Sequence, residues 1–228
     1  MLRPKKKFTK KEIKKDPLLE TIYKFQKFFD KKRRLLILVS TIGILLILVV
    51  VFLQSFITKR NFEANKIMTK AMSLYQMNKY EDAFLEFDIL INDYKNTTDG
   101  NNALYYIAKI RMRENNIEEA KKYANDYIKI GKTSSYILGS RLLLAEISES
   151  EGNYADASIN YLKASKISKD ENTKNRILIN LVSCYHLNGK LDEASKIIKD
   201  LEENISTTNP LYKDFVRIKS NHHIQFYK

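Results

Sequence analysis

The chain of 228 residues contains one cysteine, three prolines, six glycines, three histidines and no tryptophan. A single thiol, Cys184, excludes an internal disulfide and any zinc site built on cysteine pairs. A catalytic thiol also needs a positioned base. The nearest histidine, His186, is two residues away and off that helix face, so Cys184 reads as a small apolar filler inside a helix. The prolines stand at positions 4, 17 and 210. Sheet proteins need frequent turn punctuation, so scarce Gly and Pro favour long helices with short connections. Aromatic mass comes from 14 Tyr and 11 Phe, slim rings that can fill the seams between helices.

The chemistry-bearing motifs are also missing. The sequence has no Gly-rich phosphate loop, no Cys/His metal set and no serine nucleophile elbow. Neighbouring residues on a helix point about 100° apart, so His222-His223 does not form a chelate and reads as surface or cap residues. The acidic pairs Glu118-Glu119, Asp192-Glu193 and Glu202-Glu203 read as turn positions or solvated faces. Neither an enzyme nor a bound cofactor or metal is expected; function has to come from surface shape.

The net charge of +13 would suggest nucleic acid if it were spread over a domain. It is not. Residues 1–34 hold 14 Lys/Arg against four acids, a balance of +10, whereas the remaining 194 residues hold 26 against 23. A charge excess confined to one end marks the flank of a membrane span, and nucleic acid is not an expected partner.

Residues 35–57 read LLILVSTIGILLILVVVFLQSFI, 23 positions without a charge. At 1.5 Å per residue that is roughly 34 Å of helix, enough for a hydrocarbon core of about 30 Å with modest tilt. A cleaved signal peptide has a short leader, a shorter apolar run and a small-x-small cleavage site. Here the leader is 34 residues and FLQSFITK offers no such site, so an uncleaved anchor is expected. Lys31, Lys32, Arg33 and Arg34 abut its N-terminal end, while only Lys59 and Arg60 lie close to the other end. The positive-inside rule then puts the N-terminus in the cytoplasm and the C-terminal domain across the membrane, in a bacterium the periplasm.

Within the basic tail, Asp16-Pro17 reads as an N-cap followed by proline at the first helical position. Leu18, Ile22, Phe25 and Phe29 then share one side of a helical wheel, with Lys24, Lys27 and Lys31 opposite. That pattern suits a short helix lying on anionic inner-membrane lipids through these apolar residues and the Lys31–Arg34 cluster. A plain topogenic tail and docking to a cytoplasmic partner are the other two readings.

Beyond the span, four segments align without gaps: NKYEDA (78–83), NIEEA (116–120), GNYADA (152–157) and GKLDEA (189–194). Their terminal alanines, Ala83, Ala120, Ala157 and Ala194, are 37 residues apart each time. A second small-residue column, Ala71, Ala108, Ala145 and Val182, keeps the same period. This pattern resembles the tetratricopeptide repeat (TPR), a 34-residue helix–turn–helix unit, over residues 64–201. Tyr80, Ile117, Tyr154 and Leu191 fill its aromatic or apolar slot, and Phe87, Tyr161 and Ile198 its large helix-B slot. Departures are the longer period, the absent helix-B proline, and arginines at 141 and 111 in apolar slots, where irregular packing is expected.

The resulting expectation is an all-α protein with four parts. Residues 1–34 form a basic cytoplasmic tail with a short amphipathic helix, and 35–57 a transmembrane helix. Residues 58–204 form a TPR-like α-solenoid of about four hairpins, and 205–228 a C-terminal capping helix. The first repeat begins about six residues past the span, which would hold the scaffold close to the bilayer.

The resemblance implies a concave groove lined by helix-A side chains. The residues it assigns in the first two repeats include Met68, Met72, Tyr75, Tyr105, Lys109 and Met112. Gly139, Leu142, Glu146 and Glu149 follow in the third, and Arg176, Ile179, Ser183 and His186 in the fourth. The alternative for Met68 and Met72 is packing on a neighbouring helix. Tail, span and exported repeats together resemble the YfgM-like ancillary subunits of the bacterial Sec translocon. That resemblance implies a periplasmic adaptor for extended polypeptides or their chaperones, with the translocon as a partner. A scaffold for envelope biogenesis or division, and an organelle-surface receptor with cytosolic repeats, are the alternatives.

Overall fold

The computed structural model describes residues 17–226. Asp16 and the rest of the first 16 residues, with the cap expected there, lie outside the described residues. Nine helices and no strand are found among the described residues. In chain order they are α1 (Pro17–Gln76), α2 (Tyr80–Asp93), α3 (Thr98–Arg113), α4 (Ile117–Ile130), α5 (Ser134–Ser150), α6 (Tyr154–Ile167), α7 (Glu171–Leu187), α8 (Leu191–Asn204) and α9 (Tyr212–Phe226). The chain divides into two units, Met1–Thr58 and Lys59–Lys228.

The described part of the first unit is one uninterrupted helix. Residues 18–42 contain neither Gly nor Pro, so no local signal breaks it. One stretch of α1 is long and apolar enough to cross a membrane, and none of that apolar window is buried within the chain. In water such a surface would be a severe liability; in a bilayer it is the ordinary condition. Thr21 donates from its hydroxyl to the Pro17 carbonyl, and Ser40 and Thr41 both donate to the Ile37 carbonyl. The polar groups that precede or interrupt the apolar run are thereby tied to the helix itself.

The second unit packs each helix from α2 to α8 against the next, with α9 laid on α7 and α8. One turn is used four times. Asn78, Asn115, Gly152 and Gly189 have positive φ of 60°, 58°, 74° and 69°. Each lies two residues past the end of a helix. The following amide reaches back to a carbonyl five residues earlier: Lys79 to Leu74, Asn116 to Arg111, Asn153 to Ser148 and Lys190 to Tyr185, at 2.8–3.0 Å. This is the left-handed closure that satisfies the last carbonyls of a helix while reversing the chain. Asn116 and Asn153 then cap the next helix through their side chains, accepting from the Glu119 and Asp156 amides.

The small residues at the helix crossings are fully buried: Ala71, Ala108, Ala145 and Val182 on one side of each turn, Ala83, Ala120, Ala157 and Ala194 on the other. A methyl group at a crossing lets two helix backbones approach, and large neighbours such as Phe87, Tyr127 and Tyr161 plug the remaining gaps. The core is accordingly three successive clusters. The first joins the end of α1 to α2 and α3, the second joins α3, α4 and α5, and the third runs from α5 to α9. Leu211, just ahead of α9, and its Phe215 and Ile218 are buried in the third cluster, over α7 and α8.

Arg111 and Arg141, the two arginines in apolar slots, meet different fates. The Arg111 guanidinium lies 4.0 Å above the Phe84 ring and pairs with Glu114 and Glu119 at 2.6 and 2.7 Å. Arg141 donates only to the Asn160 carboxamide, at 3.1 Å, while its Nε is buried without a partner. Burial pushes the Arg141 guanidinium below the usual arginine range.

Candidate functional site

A cavity of about 480 Å³ opens between the end of α1, α3 and α5. Tyr75 comes from α1; Tyr105, Lys109, Met112 and Arg113 come from α3; Gly139, Leu142, Leu143 and Glu146 come from α5. Spacings of three and four put each set on one helical face.

Its floor and near wall are aromatic. Tyr105 stacks on Tyr136 with centroids 5.1 Å apart and meets Tyr106 edge-on at 5.2 Å. Tyr106 stacks in turn on buried Phe87 at 5.1 Å, and Tyr75 meets both Tyr80 and Tyr106 edge-on. The phenol groups are tied in: Tyr106 donates to the Tyr136 hydroxyl at 3.1 Å, and Tyr127 to the Asn102 carboxamide at 3.0 Å. Each aromatic pair adds about 0.5–1.5 kcal/mol beyond the area it buries, so this wall is rigid. Gly139 leaves room for the Tyr105 ring. A Cβ there would fall 2.6 Å from the Tyr105 hydroxyl and 2.7 Å from its ring carbons, driving the ring off its stack.

Charge is arranged on opposite sides. The Lys109 ammonium sits 5.3 Å from the Tyr75 ring centre and 5.7 Å from that of Tyr105, and Arg113 lies 4.4 Å above Tyr80. Burial works against the Lys109 charge, yet the neighbouring Tyr105 and Tyr75 outweigh it and hold the ammonium above the usual lysine range. Across the cavity, burial and the adjacent Glu149 push the Glu146 carboxyl up, while Lys109 pulls it back. Glu149 itself accepts from the Tyr161 hydroxyl at 2.9 Å. The walls therefore present a basic, aromatic side from α3 and an acidic side from α5.

Of the residues expected to line a groove, Tyr75, Tyr105, Lys109, Met112, Gly139, Leu142 and Glu146 meet here, and Met68, Met72 and Glu149 do not. Met68 is only 7% exposed and belongs to the core between α1, α2 and α3; Met72 packs against the same cluster. Neither lines the cavity. The reason is that α1 has α2 and α3 packed around this stretch, so only its last inward residue, Tyr75, faces open space. The fourth set does not extend the groove either: Ile179 and His186 are buried.

His186 is covered by a residue that spacing alone set aside. His222 on α9 is buried, not a surface residue, and its ring stacks on His186 with centroids 4.9 Å apart. His186 Nε2 lies 2.8 Å from His222 Nδ1, and His222 Nε2 lies 2.7 Å from Ser195 Oγ on α8. Burial lowers the proton affinity of both rings, reinforced by His222 for His186 and by His223 for His222. No signal in the sequence pointed to this contact, because α9 lies outside the four aligned segments and only its packing on α7 brings the rings together. Cys184 beside them is buried, its thiol pushed up to about 12 by burial and Glu149.

In the first unit, Leu18, Ile22, Phe25 and Phe29 are all more than half exposed, and Lys31, Lys32, Arg33 and Arg34 are exposed beside them. Phe25 and Phe29 stack at 6.2 Å, and the Lys32 ammonium lies 5.4 Å from the Phe28 ring centre. No cluster of three or more His, Cys, Asp or Glu able to hold a metal occurs among the described residues. Compared with known proteins, the chain matches no family model and no curated protein.

Proposed function

We propose that this protein is a membrane-anchored adaptor that acts by binding, not by catalysis. In this reading a TPR-like array of four hairpins, capped by α9, holds extended polypeptide segments on the exported side of the cytoplasmic membrane. The observation that carries it is the cavity: seven of its nine lining residues occupy the inward helix-A positions that such an array would present to a client. The four identical turns and the buried small residues at each crossing support the array. The Lys31–Arg34 cluster before the apolar run supports a cytoplasmic N-terminus. The resemblance to ancillary subunits of the Sec translocon implies a client polypeptide emerging from, or escorted near, a translocation channel.

The chemistry of the walls selects the client. Tyr105, Met112 and Leu142 accept an apolar side chain, and adaptable Met and Tyr suit varied sequences. Lys109 and Arg113 favour a carboxylate beside that side chain. Because the chain lacks tryptophan, a Trp in a short peptide can be followed alone by fluorescence. A peptide with Trp flanked by Asp should shift to the blue on titration with the full chain in detergent. Tyr105→Ala and Lys109→Glu should each weaken binding about tenfold, equivalent to about 1.4 kcal/mol. Equal binding by both variants would remove the cavity from the proposal. An alkaline phosphatase fusion to the C-terminus should be active, and an inactive fusion would reverse the topology.

A further inference from the structure

The cavity between the end of α1, α3 and α5 is lined by residues that correspond at one period. Leu142 stands 37 residues after Tyr105, and Glu146 stands 37 residues after Lys109. Each charged residue follows its apolar one by four positions, about 6 Å along its helix. An apolar pair on α3 and α5 is therefore set one turn away from a charged pair on the same two helices. The charges are opposite, a cation on α3 and a carboxylate on α5.

These charges share one cavity without meeting. Among the described residues Glu146 makes no hydrogen bond and no ion pair, and no carboxylate lies within ion-pair distance of Lys109 or Arg113. The tyrosines account for the cations. The Lys109 ammonium is held 5.3 Å from the Tyr75 ring centre and 5.7 Å from that of Tyr105, while Arg113 lies over Tyr80. On α5 the next carboxylate, Glu149, already accepts from the Tyr161 hydroxyl, which leaves Glu146 to line the cavity.

An acidic client side chain beside Lys109 satisfies only one of these walls. A second acid in the same space would face Glu146, and like charges brought together across a contact select against a partner. A segment with basic residues alone would meet Lys109 and Arg113 with the same result. The arrangement is matched by a segment that carries one charge of each sign.

We infer that Glu146 selects a basic side chain, so that the cavity takes a polypeptide segment with one large apolar residue between an acidic and a basic one. The apolar side chain lies against Tyr105 and Leu142, its acidic neighbour toward Lys109 on α3, and its basic neighbour toward Glu146 on α5. The inference rests on the cavity being the client site proposed above, and the test separates the two.

Two pentapeptides capped at both ends serve as probes, one with Trp between Asp and Lys and the other with Trp between Asp and Gln. Each is titrated with the full chain in detergent and followed by tryptophan fluorescence. The unsubstituted chain should bind the Lys peptide about fivefold more tightly, as one partly screened ion pair allows. Glu146→Gln should abolish that preference, and Glu146→Lys should reverse it. A preference for Lys that survives Glu146→Gln, or equal binding of both peptides by the unsubstituted chain, would overturn the inference and leave the cavity as a client site. Binding of neither peptide would remove the client site itself and the inference with it.

Discussion

The two halves of the second unit close their helix pairs with the same backbone turn but fill the space beside it differently. In the first half, positive φ falls on Asn78 and Asn115, and the inward surface is tyrosine, methionine and lysine around an open cavity. In the second half it falls on Gly152 and Gly189: α5 still lends the cavity Gly139, Leu142 and Glu146, whereas α7 is covered by α9 and the His186–His222 contact. The turn fixes how each pair of helices is joined, while the inward residues decide whether the surface stays open. One half borders an open cavity, and the other ends under α9.

The largest expected effect tests whether the halves share stability. Phe87→Ala removes a fully buried ring under the cavity and should cost about 3–5 kcal/mol, against about 2–5 kcal/mol for Leu181→Ala in the other half. Thermal unfolding of the full chain in detergent measures both. If the cores communicate, each variant lowers a single transition; two transitions would separate the halves.

Smaller is the effect of the turn residue. Gly152→Ala forces a Cβ into the left-handed region and should cost about 1–2 kcal/mol. Asn115→Gly, which relaxes the same strain in the first half, should change stability by only a few tenths of a kcal/mol. Equal responses at the two sites would erase this part of the contrast.

Acid acts on one half only. Because His186 and His222 hold protons less readily folded than unfolded, their contribution is complete above the ordinary histidine range, about pH 6.5. It is lost as pH falls through that value toward the lowered folded-state ones. Ser195 from α8 and His223 from α9 are among the groups turned toward the pair, and neither is an anion. The protection of the Phe215 and Ile218 amides against hydrogen exchange, relative to the intrinsic rate at each pH, should therefore fall between about pH 7.5 and about pH 5.5, while that of Phe87 does not. His222→Gln should flatten the response.

The last expected change is a gain. Arg141 holds a desolvated guanidinium with a single carboxamide for company. Arg141→Leu should raise stability by about 1 kcal/mol, and Arg111→Leu, which breaks two ion pairs, should not.

What could be read from the chain beforehand divides along a physical line. The all-helical character followed from scarce Gly and Pro, because local propensity and turn chemistry are short-range. Tyr105, Lys109, Gly139, Leu142 and Glu146 could be grouped beforehand only through the resemblance to a helical repeat, which assigns each to one face of its helix, and they line one cavity. Met68 could not be separated from them by spacing, since the same helical face turns from solvent to core as soon as a neighbour covers it. His222 was harder still. Adjacent to His223, it looked like a surface residue, and only the fold of α9 over α7 puts it against His186. The stripe at Ile22, Phe25 and Phe29 was visible at once, whereas the direction in which it runs depended on the helix continuing through Asp30 without a bend.

The histidine contact has a polarity. Ser195 donates its only hydroxyl proton to the Leu191 carbonyl, 3.0 Å away. Its oxygen can therefore only accept from His222, which must carry its proton on Nε2. That leaves His222 Nδ1 bare, and His186 must donate to it from its own Nε2. A main-chain carbonyl in α8 thus dictates the tautomer of two rings on two other helices, and nitrogen NMR should find both protonated on Nε2. The relay is saturated in one direction. An added proton has its place at the outer end, on His186 Nδ1, where it leaves both links closed and puts a charge on a buried ring.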